Sequence, residues 1–343
     1  MSFREDPMTK TPMARSLVRI ASAAICTFAI GATSAFAADA VKLRISTPAV
    51  ESDWHAKMLT VFKDELAKTA PGEFDVEIHL NASLFKQGTE PAAMQRGNLD
   101  MAMISAQDIA KQIPAWSVFT AGYLIRDPEH QKKVFNSDIG KKFYQMVADD
   151  MNIEILDVGY LGTRELNLAN DKKITTPDDL KGVKLRMPGS DAWLFLGNAL
   201  GADATPLAFG EVYTGLQTGT IDGQDNPLPT VKAVKFYEVT KQIVLTDHLV
   251  DAVFLSMAKN TYDDLSADQQ KKVKDAAAVA TAYNNKMRIE DEKSLIDFFK
   301  KEGLSIYAPD VAAFRTKVQN AYLESEFAKD WPEGIVEQIN AVK

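Results

Sequence analysis

Sulfur chemistry is almost absent from this chain of 343 residues, whose only cysteine is Cys26. No intrachain disulfide can form, and everything beyond the N-terminal stretch that holds Cys26 lacks a thiol nucleophile or thiolate metal ligand. Lipid attachment there is disfavoured too, because Ile25 precedes Cys26 where processing needs a small residue. Long apolar runs are also missing. The uncharged stretch from Ile20 to Ala35 falls short of the roughly 20 residues that a membrane-spanning helix needs. Enzyme signatures are missing: there is no G-x-S-x-G elbow, no G-x-x-x-x-G-K-[ST] loop, no G-x-G-x-x-G and no H-E-x-x-H. The four histidines, His55, His79, His130 and His248, are isolated in sequence and read as surface or structural residues. Basic charge is in deficit, with 39 Lys and Arg against 47 Asp and Glu, which argues against nucleic acid and anionic membranes as partners.

What is present begins at the N-terminus. Arg15 and Arg19 precede the uncharged stretch, and Ala35-Phe36-Ala37 places small residues at the two positions that a signal peptidase reads. The pattern predicts a secretory signal peptide over residues 1–37, removed after Ala37, and hence export. Met8 or Met13 is an alternative translation start behind the charged preface MSFREDPMTKTP. Residues 1–37 carry four basic and two acidic side chains, so the net charge of −8 becomes −10 after cleavage.

About 300 remaining residues exceed what one core usually organises, so two lobes are expected. VKLRIST alternates as a strand, and SDWHAKMLTVFKDELAKTA follows as a helix, with Ser52 or Asp53 as its cap and Trp54, Met58, Leu59, Phe62 and Leu66 on one face. FDVEIHL and LDMAMIS supply two more strands around a short helix ending at Gly97. Strand and helix in alternation imply a parallel sheet with crossover helices. A second such unit follows, with NIEILDVGYLGTRELNLA, VKLRMPG and ATPLAF extended and DAWLFLGNALGAD and GEVYTGLQTGTID helical. Ser266 to Gly303 reads as one long helix opened by the capping signal SADQQ. No Pro/Gly/Ser-rich linker divides the chain, so strands that cross between the lobes must join them.

Two features carry chemistry. Asp222, Gln224, Asp225 and Asn226 crowd together before Pro227 as a metal loop, an acid pair or a turn. Pro227 stands where a calcium loop needs its turn glycine, and Ala233 stands where it needs an acid, so calcium is excluded. Asp222 and Asp225 as acid and base of an exported enzyme are a weaker alternative, since no nucleophile accompanies them. Arg164 and Arg186 lie in apolar extended segments, where an unpaired guanidinium is costly. Each pairs either with a carboxylate of its own chain, such as Glu211 or Asp225, or with a ligand carboxylate held by the planar fork.

GTRELNL, LKGVKLRMPGS, GADATPLAFGEVYTGLQTGTIDGQDNPLPTV and KFYEVTKQIVLTDH, with HLNASLFKQGTEPAAMQRGNLDMAMIS and LIRDPEH before them, resemble the extracytoplasmic solute-binding subunits of TRAP transporters, the DctP-type family. The resemblance implies an α/β periplasmic binding protein of two lobes. Each lobe is a mixed β-sheet flanked by helices, with the ligand cleft between them and a long helix spanning both. The corresponding boundaries are 38–161 plus 252–291 for the first lobe and 162–251 plus 292–343 for the second. It further implies a periplasmic monomer that uses no cofactor or metal and is not an enzyme. Such a protein closes on an organic acid (a sugar acid, C4-dicarboxylate, keto or hydroxy acid, or aromatic acid) and delivers it to a small and a large permease subunit. Feeding a sensor instead is the other role open to a binding module.

Matched residue by residue, Arg186 corresponds to the arginine that bridges the ligand carboxylate, Arg164 to a second arginine near it, and Asn226 to an asparagine bonded to the same carboxylate. Asp222, Gln224 and Asp225 are then expected to hold the turn that aims Asn226. Ser105, Gln107, Trp54, Tyr160, Trp193 and Phe209 are candidate pocket linings, though core packing serves the aromatics equally well. Glu211, near a helix start, reads as structural.

Overall fold

The computed structural model describes residues 40–343, and the expected signal peptide lies outside the described residues. One nine-stranded sheet runs through them, built of β1 (Val41–Ser46), β2 (Phe74–His79), β3 (Met101–Ser105), β4 (Ile153–Leu168), β5 (Lys184–Met187), β6 (Asp203–Pro206), β7 (Gly223–Pro227), β8 (Gln242–Ala258) and β9 (Ser305–Tyr307). Its order is β2-β1-β3-β8-β4-β7-β5-β6, with β9 beside β8. β1 pairs parallel with β2 and β3, and β5 parallel with β6 and β7, as crossover helices require. Between these two parallel halves run the antiparallel strands β4 and β8, of 16 and 17 residues. They are long enough to take part in both halves, which explains why no linker is visible in sequence.

The helices are α1 (Trp54–Thr69), α2 (Glu90–Gln95), α3 (Ala106–Ala110), α4 (Pro128–Asn136), α5 (Asp138–Met151), α6 (Asp191–Ala199), α7 (Val212–Thr218), α8 (Leu228–Ala233), α9 (Lys259–Asp263), α10 (Ala267–Lys301), α11 (Val311–Leu323), α12 (Glu326–Lys329) and α13 (Ile335–Ala341). Asp53, one of the two expected caps of α1, accepts from the His55 amide. Met58, Leu59, Phe62 and Leu66 are buried on the predicted face, whereas Trp54 remains partly exposed. The capping box at Ser266 and Gln269 opens the 35-residue helix α10. Its first half buries Val273, Ala276, Ala277 and Ala280 in one core with α1 and β1, and its second half buries Leu295 and Phe299 in another with α7. A single helix thus buttresses both halves of the sheet.

The crossing strand β4 is irregular where it leaves the first half, with a register shift between Tyr160 and Gly162. Gly162 has φ +132°, and a Cβ there would meet Pro227 Cβ at 2.4 Å, so only glycine fits.

The polar cluster departs from expectation. Gly223–Pro227 is the fully buried strand β7 rather than a turn, while the reversal falls earlier, at Gly219, the left-handed cap of α7. Sequence patterning misses a strand whose buried side chains are polar, because their partners lie elsewhere: Gln224 donates to Asn167 at 3.1 Å, and Asp225 meets Arg164 and His248. Asp222 does hold the approach, since its Oδ2 accepts from the Lys184 amide at 2.9 Å.

Candidate functional site

The carboxyl ends of β1, β3, β5 and β7 converge on one cavity, the place where open α/β sheets take ligands. It encloses about 90 Å³, room for several waters, and is lined from the first half by residues that include Thr47, Asp53, His55, Glu90 and Ser105, and from the second by residues that include Arg164, Arg186, Trp193, Phe209 and Asn226. Ser190 caps α6 by accepting from the Trp193 amide, which fixes Trp193 at the cavity wall. The first-half residues come from the loop after β1, the start of α1, the segment entering α2 and the junction of β3 with α3.

The two arginines divide between the alternatives left open by the sequence. Arg164 takes carboxylates of its own chain: Nε donates to Asp251 Oδ2 at 2.7 Å, and Nη1 donates to the Asp225 carbonyl at 3.0 Å and to Asp225 Oδ2 at 3.3 Å. Its guanidinium also lies 4.2 Å from the Trp193 ring centroid. His248 Nε2 stands 3.2 Å from the same Asp225 oxygen, and its Nδ1 2.8 Å from Thr246 Oγ1. Burial pushes Asp225 up, but Arg164, His248 and Arg186 outweigh it and hold its carboxyl below the ordinary value. At Asp251 burial wins and the carboxyl lies above its ordinary value.

Arg186 has no such partner. It is 1% exposed, yet no carboxylate of the described residues lies within ion-pair distance of it. Its Nε donates to the Leu207 carbonyl at 2.8 Å and its Nη2 to Gln87 Oε1 at 3.1 Å, both neutral acceptors. Nη1 donates to no protein group among the described residues. Burial pulls the guanidinium down to about 9; Asp225 opposes this and Arg164 adds to it. A fork held at one edge, charged at neutral pH and short of a counter-charge is the chemistry of an anion site. Asn226 stands beside it, with Nδ2 donating to Gln224 Oε1 at 2.6 Å.

Of the nine expected site residues, Arg186, Arg164, Asn226, Trp193, Phe209 and Ser105 line the cavity, and Gln107, Tyr160 and Trp54 do not. Gln107 is wholly buried in α3, and neither side-chain amide atom finds a partner. Tyr160 turns its hydroxyl to Glu292 at 2.8 Å and to Thr163 at 3.0 Å. Trp54 donates to Asp291 at 2.8 Å and packs edge-on against Tyr283, tying α1 to α10. Glu211 is exposed and pairs with neither arginine.

Sequence reasoning missed Gln87, Glu90, His55 and Asp251 as cavity residues, and saw Asp53 only as a cap. The signal available for Asp251 was its place inside the apolar run HLVDAVFL; Gln87 in the polar loop before α2 and Glu90 at the first position of that helix carry none. Glu90 is 3% exposed and accepts from no other side chain, and burial, then Asp108, pushes it up to about 7. His55 is buried with Nε2 unpartnered, and burial, then Arg288, pulls it down to about 3. Arg288 joins the halves here: it donates to Asp53 Oδ1 at 2.7 Å, to Thr230 Oγ1 at 2.7 Å and to the Leu161 carbonyl at 2.6 Å.

Two α/β halves joined by crossing strands, with a polar, arginine-bearing cavity between them, define a two-lobed binding protein. The chain belongs to the bacterial extracellular solute-binding protein family 7, DctP, which it matches over residues 45–330. It is similar, at TM-score 0.86 and 47% identity over 89% of this chain and 100% of the other, to a TRAP periplasmic solute-binding protein of Roseobacter denitrificans with bound 3-deoxy-D-manno-oct-2-ulosonic acid. A second such protein from that organism, with bound L-galactonate, aligns at TM-score 0.81 and 30% identity, covering 88% and 98%. The sialic acid-binding periplasmic protein of Vibrio cholerae is 32% identical over 84% of this chain and 87% of its own. The family is extracytoplasmic, and its members bind solutes rather than transform them.

Proposed function

We propose that this protein is the periplasmic solute-binding subunit of a TRAP transporter, exported by its N-terminal signal peptide, which captures a sugar acid and delivers it to the membrane permease. The observation that carries the reading is Arg186: a buried guanidinium on a cavity wall, with neutral acceptors at Nε and Nη2 and no carboxylate of its own. A ligand carboxylate there supplies the missing charge through charge-assisted hydrogen bonds, with Asn226 beside it. Arg164, already committed to Asp225 and Asp251, adds positive potential and steadies Trp193 rather than supplying the main bridge. Sugar acids are favoured among organic acids by the bound compounds named for the two Roseobacter relatives and by the polar groups that line the rest of the cavity.

Closure is proposed to divide the lobes at Leu161/Gly162 and Asp251/Ala252, where β4 is bulged, so that residues 38–161 plus 252–291 move against 162–251 plus 292–343. A thermal-shift screen against organic acids tests the whole reading. A true ligand at a hundredfold excess over its Kd raises stability by about 2.7 kcal/mol by mass action. Stabilisation by sugar acids that is lost in Arg186→Ala supports the proposal, and equal stabilisation in that variant overturns it.

A further inference from the structure

Away from the crossing strands, the two halves are tied together along α8. Three bonds reach it from residues that the proposed division assigns to the first half. Arg288 Nη2 donates to Thr230 Oγ1 at 2.7 Å, Asp291 Oδ1 accepts from Lys232 Nζ at 3.3 Å, and Ser52 Oγ donates to the Ala233 carbonyl at 3.0 Å. Arg288 and Asp291 stand three residues apart on α10, hence on one face of it. Each is aimed by first-half partners. Asp53 Oδ1 accepts from Arg288 Nη1 at 2.7 Å, and the Leu161 carbonyl, at the bulge of β4, accepts from Nε at 2.6 Å. Trp54 Nε1 donates to Asp291 Oδ2 at 2.8 Å. Arg288 is wholly buried, so the loss of Thr230 would leave a buried charged donor unpaired. Neither Arg288, Asp291 nor Lys232 lines the cavity.

We infer that Arg288 and Asp291 are positioning residues that latch α8 of the second half to the start of α1, and that this latch, outside the ligand contacts, slows ligand release. The inference rests on the proposed solute binding and on the proposed closure about Leu161/Gly162, and adds residues that act without touching the ligand. Opening about that hinge carries α8 away from α10 and breaks all three bonds, whereas a ligand enters the open form before any of them exists. Contacts made only on closing therefore act on the dissociation rate and leave association nearly unchanged. The two α10 bridges differ in strength. The Lys232 side chain is 43% exposed, so its pair with Asp291 is weak, while the buried Arg288 depends on Thr230 for its third bond.

Stopped-flow kinetics with 3-deoxy-D-manno-oct-2-ulosonic acid and L-galactonate test this in the wild type, Lys232→Met, Asp291→Ala and Thr230→Val. The expected result is a dissociation rate raised about threefold in Lys232→Met and in Asp291→Ala, and about tenfold in Thr230→Val, with association rates within about twofold of the wild type. Combining Lys232→Met with Asp291→Ala should release ligand no faster than Asp291→Ala alone, because both remove the same bridge. Each factor should be the same for every acid that binds, since the latch does not read the ligand. Thr230→Val perturbs a buried site; should it fail to fold, Lys232→Met, on an exposed side chain, keeps the test decisive. Variants that only melt lower while releasing ligand at the wild-type rate overturn the inference, as do changes confined to association. Factors that differ more than about threefold between the acids overturn it as well, since they mark ligand contacts. Each of these outcomes leaves solute binding intact. A wild type that binds neither acid overturns the proposed function, and the inference with it.

Discussion

Arg186 and Gln87 meet across the cleft: the guanidinium Nη2 of β5 donates to the amide Oε1 of the loop before α2 at 3.1 Å. Sequence places the pair 99 residues apart, and the fold brings them together on the lining of the cavity. A neutral side chain thus meets the cation from the opposite wall without cancelling its charge, and the charge stays available for a ligand.

Removing that charge should abolish capture. Arg186→Ala is expected to weaken sugar-acid binding by roughly 2 to 5 kcal/mol, about 30- to several-thousand-fold, measured by calorimetry. Arg186→Lys should rescue only part of it, because an ammonium cannot reproduce the two-point fork. Full affinity in the lysine variant would show that a point charge suffices.

Supplying the missing charge from within should block the site. In Gln87→Glu the new carboxylate lies within hydrogen-bond reach of Arg186 Nη2 and competes with the ligand for it. The expected outcome is a higher melting temperature without ligand and a Kd raised at least about tenfold. An affinity equal to that of the wild type would place the ligand carboxylate elsewhere.

Melting should separate the two arginines. Arg164→Met strips Asp225 and Asp251, both buried, of their shared cation, and breaking such a pair costs about 3 to 5 kcal/mol. Arg186→Met instead removes a buried cation that burial already disfavours, so the ligand-free protein should melt no lower than the wild type while losing binding. A large stability loss in Arg186→Met would mean that the bonds to the Leu207 carbonyl and Gln87 outweigh the cost of burying the charge.

Much of this was legible in the sequence, for physical reasons that also explain the gaps. The capping box at Ser266, the apolar face of α1 and the alternation in β1 to β3 are local signals, and each element forms where its own residues dictate. Arg164 and Arg186 stood out because guanidinium groups are rare in apolar strands. Their division of labour was not legible, since it turns on Asp251 and Gln87, 87 and 99 residues away. Strand β7 read as a turn because Gln224, Asp225 and Asn226 are typical turn formers, and only the partners Asn167, Arg164 and His248 make them affordable in a buried strand. Trp54 and Tyr160 lie off the cavity for a similar reason: Asp291 and Glu292 on α10 hold their polar ends.

Stability should depend on pH through two cavity residues that act in opposite directions. His55 titrates near 3 in the folded state against about 6.5 unfolded, so the unfolded chain binds the extra proton and stability rises with pH between these values. Glu90 titrates near 7 folded against about 4.5 unfolded, so here the folded chain holds the proton and stability falls as pH rises from 4.5 to 7. Each slope approaches about 1.4 kcal/mol per pH unit well inside its window, and from about pH 4.5 to 6.5 the two nearly cancel. Urea unfolding of the wild type, His55→Gln and Glu90→Gln across this range resolves them. His55→Gln minus wild type should fall as pH rises from 4.5 to 6.5, because its rising slope has been removed. Glu90→Gln minus wild type should rise over the same interval. Parallel curves for all three would show that neither ring nor carboxyl changes its proton affinity on folding.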